Sequence, residues 1–164
     1  MVKSNNTLCL DKFYPERDLM ITDIAQQSDK IIIRMKSTSS SCKCPKCNHI
    51  TQKYHGTYTR KVQDLPILGK QVQLEICSHE YACLNDECEA VSIAETFDGF
   101  LNNYSRMTER CADFICTLAL ETSCEGCARV CRTLGIKTSG DTVIRLLLKR
   151  YESLPKPEVS DVIG

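Results

Sequence analysis

The sequence lacks a long apolar run, and no stretch approaches the roughly 18 consecutive residues that a membrane-spanning helix needs. It also lacks an apolar signal core, because the chain begins Met-Val-Lys-Ser-Asn-Asn-Thr, so no export signal is expected. Neither an internal repeat nor a long low-complexity tract is present. These absences argue against membrane and secreted proteins and favour a cytoplasmic protein with one domain or two small ones.

The chain also has no net charge, since 21 basic side chains balance 21 acidic ones. The balance hides two basic blocks, residues 30–81 with net +6 and residues 129–150 with net +5. An acidic block over 82–128, with net −7, separates them. A basic block is a candidate for contact with phosphate, although an ordinary solvated surface would give the same composition.

Cysteine, by contrast, is abundant, with 12 residues in 164. Some of these cysteines form close pairs, and no export signal points to an oxidising compartment. In a reducing cytosol this usage favours metal binding over a disulfide framework. A single ion cannot take all of them, so several cysteines are expected to be buried thiols.

Two short cysteine pairs have the spacing of a zinc ribbon. Cys44 and Cys47 are separated by two residues, Cys83 and Cys88 by four, and 35 residues lie between the pairs. Each pair falls in a turn beside strand-like sequence. Four thiolates complete a tetrahedral ligand set and leave no open position for water. We therefore predict one structural Zn²⁺ ion, whose binding stabilises a module with little core of its own.

Other local residues are weaker candidates for the zinc site. Cys42 could replace Cys44 as a ligand, although Cys44-Pro-Lys-Cys47 is the better knuckle. His49 and His55 are interpreted as surface or hydrogen-bonded residues rather than ligands.

Cys124, Cys127 and Cys131 form a further cluster that could indicate a second metal pair or a redox motif. Their spacing places them on one face of a helix, and Val130 and Leu134 are expected on the same general side. A buried face of small residues is the simpler interpretation.

The chain is predicted to be α+β, with a small β-rich zinc ribbon followed by a three-helix helix-turn-helix module. Alternating and β-branched sequence predicts extended segments, with a turn at Asp64-Leu-Pro66, over 19–25, 30–36, 53–62, 72–76 and 91–97. Helical periodicity, capping boxes at Thr122 and Thr138 and a stop at Gly135 predict helices over 106–121, 123–133 and 139–151. The predicted segments are an N-terminal hairpin packing on the ribbon (1–40), the ribbon (41–100), the helices (101–154) and a linker (155–164).

The third helix is the candidate for contact with base edges in the major groove of double-stranded DNA. Thr142, Arg145 and Lys149 fall on one polar stripe of that helix. Arginine can bind guanine bidentately, and lysine mainly binds phosphate. The full set of predicted DNA contacts is Arg60, Lys61, Arg132, Lys137, Ser139, Thr142, Arg145 and Lys149. The alternative is an ordinary three-helix bundle with a solvated basic face.

The order of motifs resembles the N-terminal part of the ISL-three group of bacterial DDE insertion-sequence transposases. The resemblance covers roughly residues 19–164. It is carried by Cys44-Pro-Lys-Cys47, Tyr54-His-Gly-Thr-Tyr-Thr-Arg60, Asp64-Leu-Pro-Ile-Leu-Gly69, Tyr81-Ala-Cys83, Ala94-Glu-Thr-Phe97, Leu134-Gly-Ile-Lys-Thr-Ser139 and Asp141-Thr-Val-Ile-Arg145.

The resemblance implies recognition of the inverted-repeat ends of an insertion sequence during DNA transposition and recombination. The family's catalytic domain, with three acidic residues that bind magnesium, is expected to follow, so this chain is expected not to be an enzyme. Asp161 precedes the first catalytic motif and is not part of it. A homodimer is also implied, because transposases pair two ends. One departure is Ser78-His-Glu-Tyr81, where the family often carries arginines.

Three rival functions stay open at this point. A regulator could occupy the same DNA ends and block a full transposase. A protein-interaction module without DNA affinity could use the ribbon as a docking surface, and the acidic block over 82–128 favours it. An enzyme using Cys124 and Cys127 for thiol exchange is the third.

Overall fold

The structure, a computed structural model, describes residues 18–155. Residues 1–17 of the predicted N-terminal segment, Asp161 and the predicted linker beyond Pro155 lie outside the described residues. The fold is α+β, as predicted. Its elements are β1 (Leu19–Gln26), β2 (Lys30–Ser37), β3 (Cys42–Lys43), β4 (Ile50–Thr51), β5 (Tyr54–Ile67), β6 (Lys70–Ala82), β7 (Ser92–Ala94), α1 (Glu109–Leu120), α2 (Cys124–Leu134) and α3 (Gly140–Ser153). Over residues 18–155, no helix has the length and apolar character needed to span a membrane.

Strand β6 is the centre of the main sheet. Its first half, residues 71–77, pairs in parallel with β2, and its last residues, 80–82, pair antiparallel with β7. Strand β5 runs antiparallel along the other edge of β6. The hairpin of β1 and β2 therefore joins the same sheet as the long hairpin of β5 and β6, in the order β1-β2-β6-β5. Strands β3 and β4 form a separate two-stranded sheet.

The alternating sequence of β6 gives the sheet one buried face and one polar face. Val72, Leu74 and Ile76 are fully buried, and burying each such side chain contributes roughly 1.5–3 kcal/mol. The connection between sheet and helices covers this face instead of forming a free linker. The sheet core is completed by Ile33, Met35, Val62, Phe97, Phe100 and Leu101.

The reversal between β5 and β6 lies further along the chain than the sequence predicts. The turn predicted at Asp64-Leu-Pro66 is wrong, because β5 continues to Ile67 and the chain turns at Leu68 and Gly69. Both turn residues have positive φ, 50° and 75°, as a two-residue hairpin turn of the primed type requires. Pro66 falls in a register shift between Asp64 and Ile67, where no N–H is needed for the ladder.

Each helix begins at a hydroxyl side chain that caps its first turn. Thr108, Ser123 and Ser139 accept hydrogen bonds from the backbone N–H groups of residues 111, 126 and 142. The two later caps are the serines that follow Thr122 and Thr138, one residue beyond the predicted positions. Gly135 ends α2 with φ of 92°, as predicted.

The helices pack on one another around a small core rich in cysteine. Cys127 and Cys131 are fully buried, and their sulfurs lie 3.9 Å apart, well beyond a disulfide bond of roughly 2.05 Å. Burial raises the pKa of Cys131 to about 11, so this thiol stays protonated and packs as an apolar group. The predicted burial of Val130 and Leu134 beside them is wrong, because each is 43% exposed. The core comprises Cys111, Ile115, Ala119, Cys127, Ala128, Cys131, Ile136 and Val143.

A buried ion pair joins the end of β5 to the start of α1. The Asp64 carboxylate is 0% exposed and accepts two hydrogen bonds from the Arg110 guanidinium, with Nε at 2.8 Å from Oδ1. The hydroxyl of Thr108, the cap of α1, donates to the same carboxylate at 2.7 Å. Burial opposes ionisation, but these hydrogen bonds outweigh it and lower the pKa of Asp64.

Gln63, next to Asp64, connects the sheet to the start of α1 and to the turn before α3. Its backbone N–H donates to the Arg106 carbonyl at 2.8 Å, and its carbonyl accepts from the Thr108 N–H at 2.9 Å. Its side-chain oxygen accepts a hydrogen bond from the Lys137 N–H at 2.7 Å, and its side-chain nitrogen donates to the Lys137 carbonyl at 3.2 Å. The turn before α3 is therefore held directly against the sheet.

A single substitution tests the contribution of the buried ion pair. Asp64→Asn keeps the shape of the side chain and removes its charge. We expect the free energy of unfolding at pH 7 to fall by about 2–3 kcal/mol, because the charged pair with Arg110 is lost while the guanidinium keeps partial access to water. Chemical denaturation of the zinc-loaded protein measures this loss.

The pH dependence of stability provides a second readout of the same variant. Because the pKa of Asp64 is lowered in the folded state, the pair stabilises fully above about pH 4, the range of an unfolded aspartate. The contribution disappears as the pH falls through the lower folded pKa, and Asp64→Asn should lack that part of the acid transition. The control is Asp113→Asn, whose exposed pair with Arg150 should matter little. Equal losses in both variants would contradict the assignment.

Candidate metal centre and nucleic-acid surface

The four predicted zinc ligands converge at one end of the β5–β6 hairpin. The sulfurs of Cys44 and Cys88 lie 3.8 Å apart, those of Cys47 and Cys83 lie 3.7 Å apart, and all four lie within 4.8 Å of one another. Tetrahedral zinc with Zn–S bonds of roughly 2.3 Å requires neighbouring sulfurs about 3.8 Å apart. The four cysteines therefore fit one zinc ion, which when bound would cross-link the two turns.

The first knuckle is a tight turn between β3 and β4. The N–H of Cys44 donates to the His49 carbonyl at 2.9 Å, and the N–H of Asn48 donates to the Cys44 carbonyl at 2.9 Å. Asn48 has φ of 60°, a left-handed conformation that asparagine tolerates better than most residues. This geometry brings the side chains of Cys44 and Cys47 to the same side of the turn.

Backbone N–H groups two residues after a cysteine point at three of the four sulfurs. The N–H of His49 bonds the sulfur of Cys47, that of Asn85 bonds Cys83, and that of Ala90 bonds Cys88. Such bonds stabilise negative charge on a thiolate, and second-shell donors of this kind orient metal ligands. Both turns are therefore built to hold thiolates.

Without a bound cation, the pKa values of these cysteines would differ strongly. The His49 N–H lowers the pKa of Cys47 to about 6. The Asn85 N–H lowers the pKa of Cys83, but burial and the neighbouring sulfurs outweigh it and raise that pKa to about 12. Burial and the sulfurs of Cys47 and Cys44 likewise outweigh the Ala90 N–H and raise the pKa of Cys88. Several thiolates repel one another at this distance, and a divalent cation removes that repulsion.

Thr51 holds the two knuckles in register, a role that the sequence did not reveal. Its buried hydroxyl donates to the Ala82 carbonyl at 2.8 Å and accepts from the Lys53 N–H at 3.2 Å. The Ala82 N–H in turn donates to the Lys53 carbonyl at 2.8 Å. Because Ala82 directly precedes Cys83, these bonds position the second knuckle beside the first.

A buried carboxylate ties the ribbon to the β1–β2 hairpin. Glu95 is 3% exposed and accepts hydrogen bonds from the Ser37 hydroxyl at 2.7 Å and the His79 N–H at 2.6 Å. The hydroxyl of Tyr81 and a ring nitrogen of His79 both reach the Ser39 carbonyl. The residues after β2 are thereby fixed next to the cysteine cluster.

The alternative ligands lie outside the cluster. Cys42 is buried, and its sulfur lies 3.7 Å and 3.9 Å from the carbonyl oxygens of Lys43 and Ala94. His49 and His55 are exposed, and His49 contributes its backbone, not its ring, to the site. Among residues 18–155, the one group of cysteine, histidine or acidic side chains with metal-site geometry is the predicted set of four.

Residues 40–88 match the zinc-finger of transposase IS204/IS1001/IS1096/IS1165. This match confirms, for the zinc-ribbon segment, the resemblance to the ISL-three transposases. It spans both knuckles and the hairpin between them, and it does not extend to the helices or to a catalytic domain. A transposase zinc finger indicates a role in transposition. Comparison with curated proteins and with solved structures gives no match.

The predicted DNA contacts occupy several different surfaces. Arg132, Lys137, Arg145 and Lys149 are exposed on or between the last two helices. Ser139 and Thr142 interact with each other at the start of α3, where the Ser139 hydroxyl accepts from the Thr142 N–H at 3.3 Å.

The two ribbon residues of the predicted set lie on opposite faces of β5. Arg60 donates to the carbonyls of Asn102 and Ser105 at 3.0 Å each, so its guanidinium already has protein partners. Lys61 is exposed on the other face, 3.9 Å from Glu75. It shares a groove with Lys137 and Thr142, and the groove also contains Arg106, which the sequence analysis did not select.

The second prediction tests the ligand set. Cys83→Ser should abolish stoichiometric zinc, whereas Cys42→Ser should keep one zinc per chain, as measured by elemental analysis of the purified protein. Zinc removal from the wild type should broaden or lose amide NMR signals around Tyr81 and Ile93. Signals of the helical core should persist, because that core contains none of the ligands. Loss of zinc in Cys42→Ser would contradict the assignment.

Zinc binding is expected to release protons from the cysteine thiols of the site. At pH 7 the thiols of Cys83 and Cys88 hold their protons in the metal-free protein, and zinc must displace them. We expect binding to release about two protons or more, so that affinity rises by about 100-fold per pH unit near neutrality. Calorimetry in two buffers with different ionisation enthalpies counts the released protons. A pH-independent affinity would show that the cluster is already ionised.

Proposed function

We propose that this chain binds double-stranded DNA and recognises the terminal inverted repeats of an insertion sequence. The observation that carries the proposal is the placement of Arg145 and Lys149 on the exposed side of α3, in a chain that carries a transposase zinc finger. Zinc would stabilise the ribbon, basic side chains would bind phosphate, and α3 would contact base edges. The strand-transfer chemistry itself would belong to a catalytic domain with three acidic residues.

The helical part has features that suit a helix-turn-helix role. Helix α2 ends at Gly135, the short turn over 136–138 follows, and α3 begins after the Ser139 cap. The buried Val143 anchors α3 on the other helices, while Arg145 faces solvent one turn beyond Thr142. Ile144 and Leu148 are exposed beside Arg145 at 45% and 55%. Apolar side chains in such positions can contact thymine methyl groups.

The same exposed apolar residues favour a second candidate function. Ile144, Leu148 and Tyr151 recur at helical spacing on α3, and each is at least 45% exposed. A protein-interaction module without DNA affinity would use such a stripe as its contact surface. A regulator that occupies the same DNA ends is the third candidate, and DNA binding alone does not separate it from the first.

The fourth prediction separates base recognition from phosphate binding. The specific ligand is the duplex that the zinc-loaded chain selects from a randomised pool. The pool also contains DNA flanking its own gene. Arg145→Ala should reduce the preference for this ligand over scrambled DNA by about 10-fold or more. Lys149→Ala should weaken both duplexes about equally and lower the salt slope by about 1. Fluorescence anisotropy at several salt concentrations gives both quantities.

Glu152→Gln is the matched control, because Glu152 is exposed on the same helix but carries no positive charge. It should leave the discrimination unchanged. Unchanged discrimination in Arg145→Ala would remove α3 as the recognition element. If the folded, zinc-loaded chain bound no duplex at all, the interaction module would replace DNA binding as the proposed function.

A further inference from the structure

A polar groove separates the open face of the sheet from the start of α3. Its volume is about 560 Å³, and its sides combine strand β5, strand β6, the segment before α1 and the turn before α3. Three cationic side chains line it, namely Lys61, Arg106 and Lys137, and none of the described lining residues carries a carboxylate. This is the chemistry of a site for a polyanion.

In the described part of the chain, two of the three cations have no acidic partner. Across residues 18–155, no carboxylate lies within salt-bridge distance of Arg106 or Lys137, whereas Lys61 has a loose contact with Glu75 at 3.9 Å. Arg106 and Lys137 are both exposed. Their charges are therefore available to a ligand without first breaking an ion pair of the protein.

One residue holds the backbones of both cations. Gln63 accepts and donates hydrogen bonds with the Lys137 backbone, and its own N–H donates to the Arg106 carbonyl. Arg106 and Lys137 are 31 positions apart in the chain, yet the same strand fixes both. Groups positioned in advance lose less conformational entropy when a ligand binds.

Neutral polar side chains complete the groove. The amides of Gln71 and Gln73 line the sheet side, and Thr142 lines the helix side in the first turn of α3. Thr142 and Arg145 are three residues apart, a rise of about 4.5 Å along a helix. The groove is therefore continuous with the surface of α3 that is proposed to contact DNA. A strand contacted by α3 would therefore pass along this groove.

We infer that the groove binds the phosphate backbone of a DNA strand, with Arg106 and Lys137 as its main contacts and the sheet as part of the DNA interface. The inference rests on the proposed function and extends it from α3 to the open face of the sheet. Charge complementarity favours a polyanion, and continuity with α3 favours duplex DNA over an acidic peptide. The zinc knuckles lie at the other end of β5, about 25 Å from Lys61 along an extended strand.

The experiment measures how affinity depends on salt for a duplex of about 30 base pairs, roughly three helical turns. In the zinc-loaded full chain, the double substitution Arg106→Gln with Lys137→Gln should make the salt dependence shallower. The magnitude of the negative slope of log K against log salt should fall by about 1.8. Affinity should fall by a similar factor for specific and scrambled duplexes, because phosphate contacts carry no sequence information. Arg106→Lys with native Lys137 should keep the wild-type slope.

Lys53→Gln is the control, since Lys53 is an exposed lysine near the zinc end of the ribbon. It should not change the slope. A loss of about 0.9 in Lys53→Gln, half the loss of the double variant for half the charge removed, would reduce the effect to net charge and overturn the groove. If wild type binds DNA but the double variant has an unchanged slope, the groove is wrong while DNA binding by α3 stands. If wild type binds no duplex, both proposals are wrong.

Discussion

The requirement that four sulfurs meet around one tetrahedral ion governs the ribbon end of this protein. The two cysteine turns are 35 residues apart, and only a long chain reversal can bring them together. Strands β5 and β6 make that reversal, and their register places Tyr54 opposite Tyr81, just before the second turn. Thr51 then closes the small gap between the turns with hydrogen bonds to the end of β6. Metal geometry, strand pairing and the Thr51 hydroxyl therefore all fix the relative position of the two cysteine turns.

Towards its turn, the same hairpin contacts the helical part and positions it. Asp64 is buried and charged, a costly arrangement unless every lone pair is used, and Arg110 and Thr108 provide the partners. Gln63 adds hydrogen bonds to the backbone before α1 and to the turn between α2 and α3. Sheet and helices consequently form a connected structure in which the orientation of α3 is set by specific bonds. A flexible linker would have left that orientation undefined and would have added an entropic cost to binding.

This coupling changes how the basic residues of the chain are interpreted. Composition placed most positive charge in two blocks, yet Arg60 in the first block is engaged by two carbonyls and faces away from Lys61. Arg106 lies in the acidic block, and it nevertheless joins Lys61 and Lys137 in one groove. The surface proposed to bind DNA is therefore built from both modules. The cysteines of α2 have a packing role, since Cys127 and Cys131 fill the helical core as protonated thiols.

Local spacing was sufficient to predict the zinc ligands, the three helices and the alternating strand at 72–76, because each depends on residues close in sequence. Metal knuckles, helix caps and period-two burial all leave a short-range pattern. Other features depend on residues that are distant in sequence and were therefore missed. The parallel pairing of β2 with β6, the turn at Leu68 and Gly69, and the partial exposure of Val130 follow from packing. The groove of Lys61, Arg106 and Lys137 likewise exists only once Gln63 brings the three segments together, since no local pattern records a hydrogen bond across 74 residues.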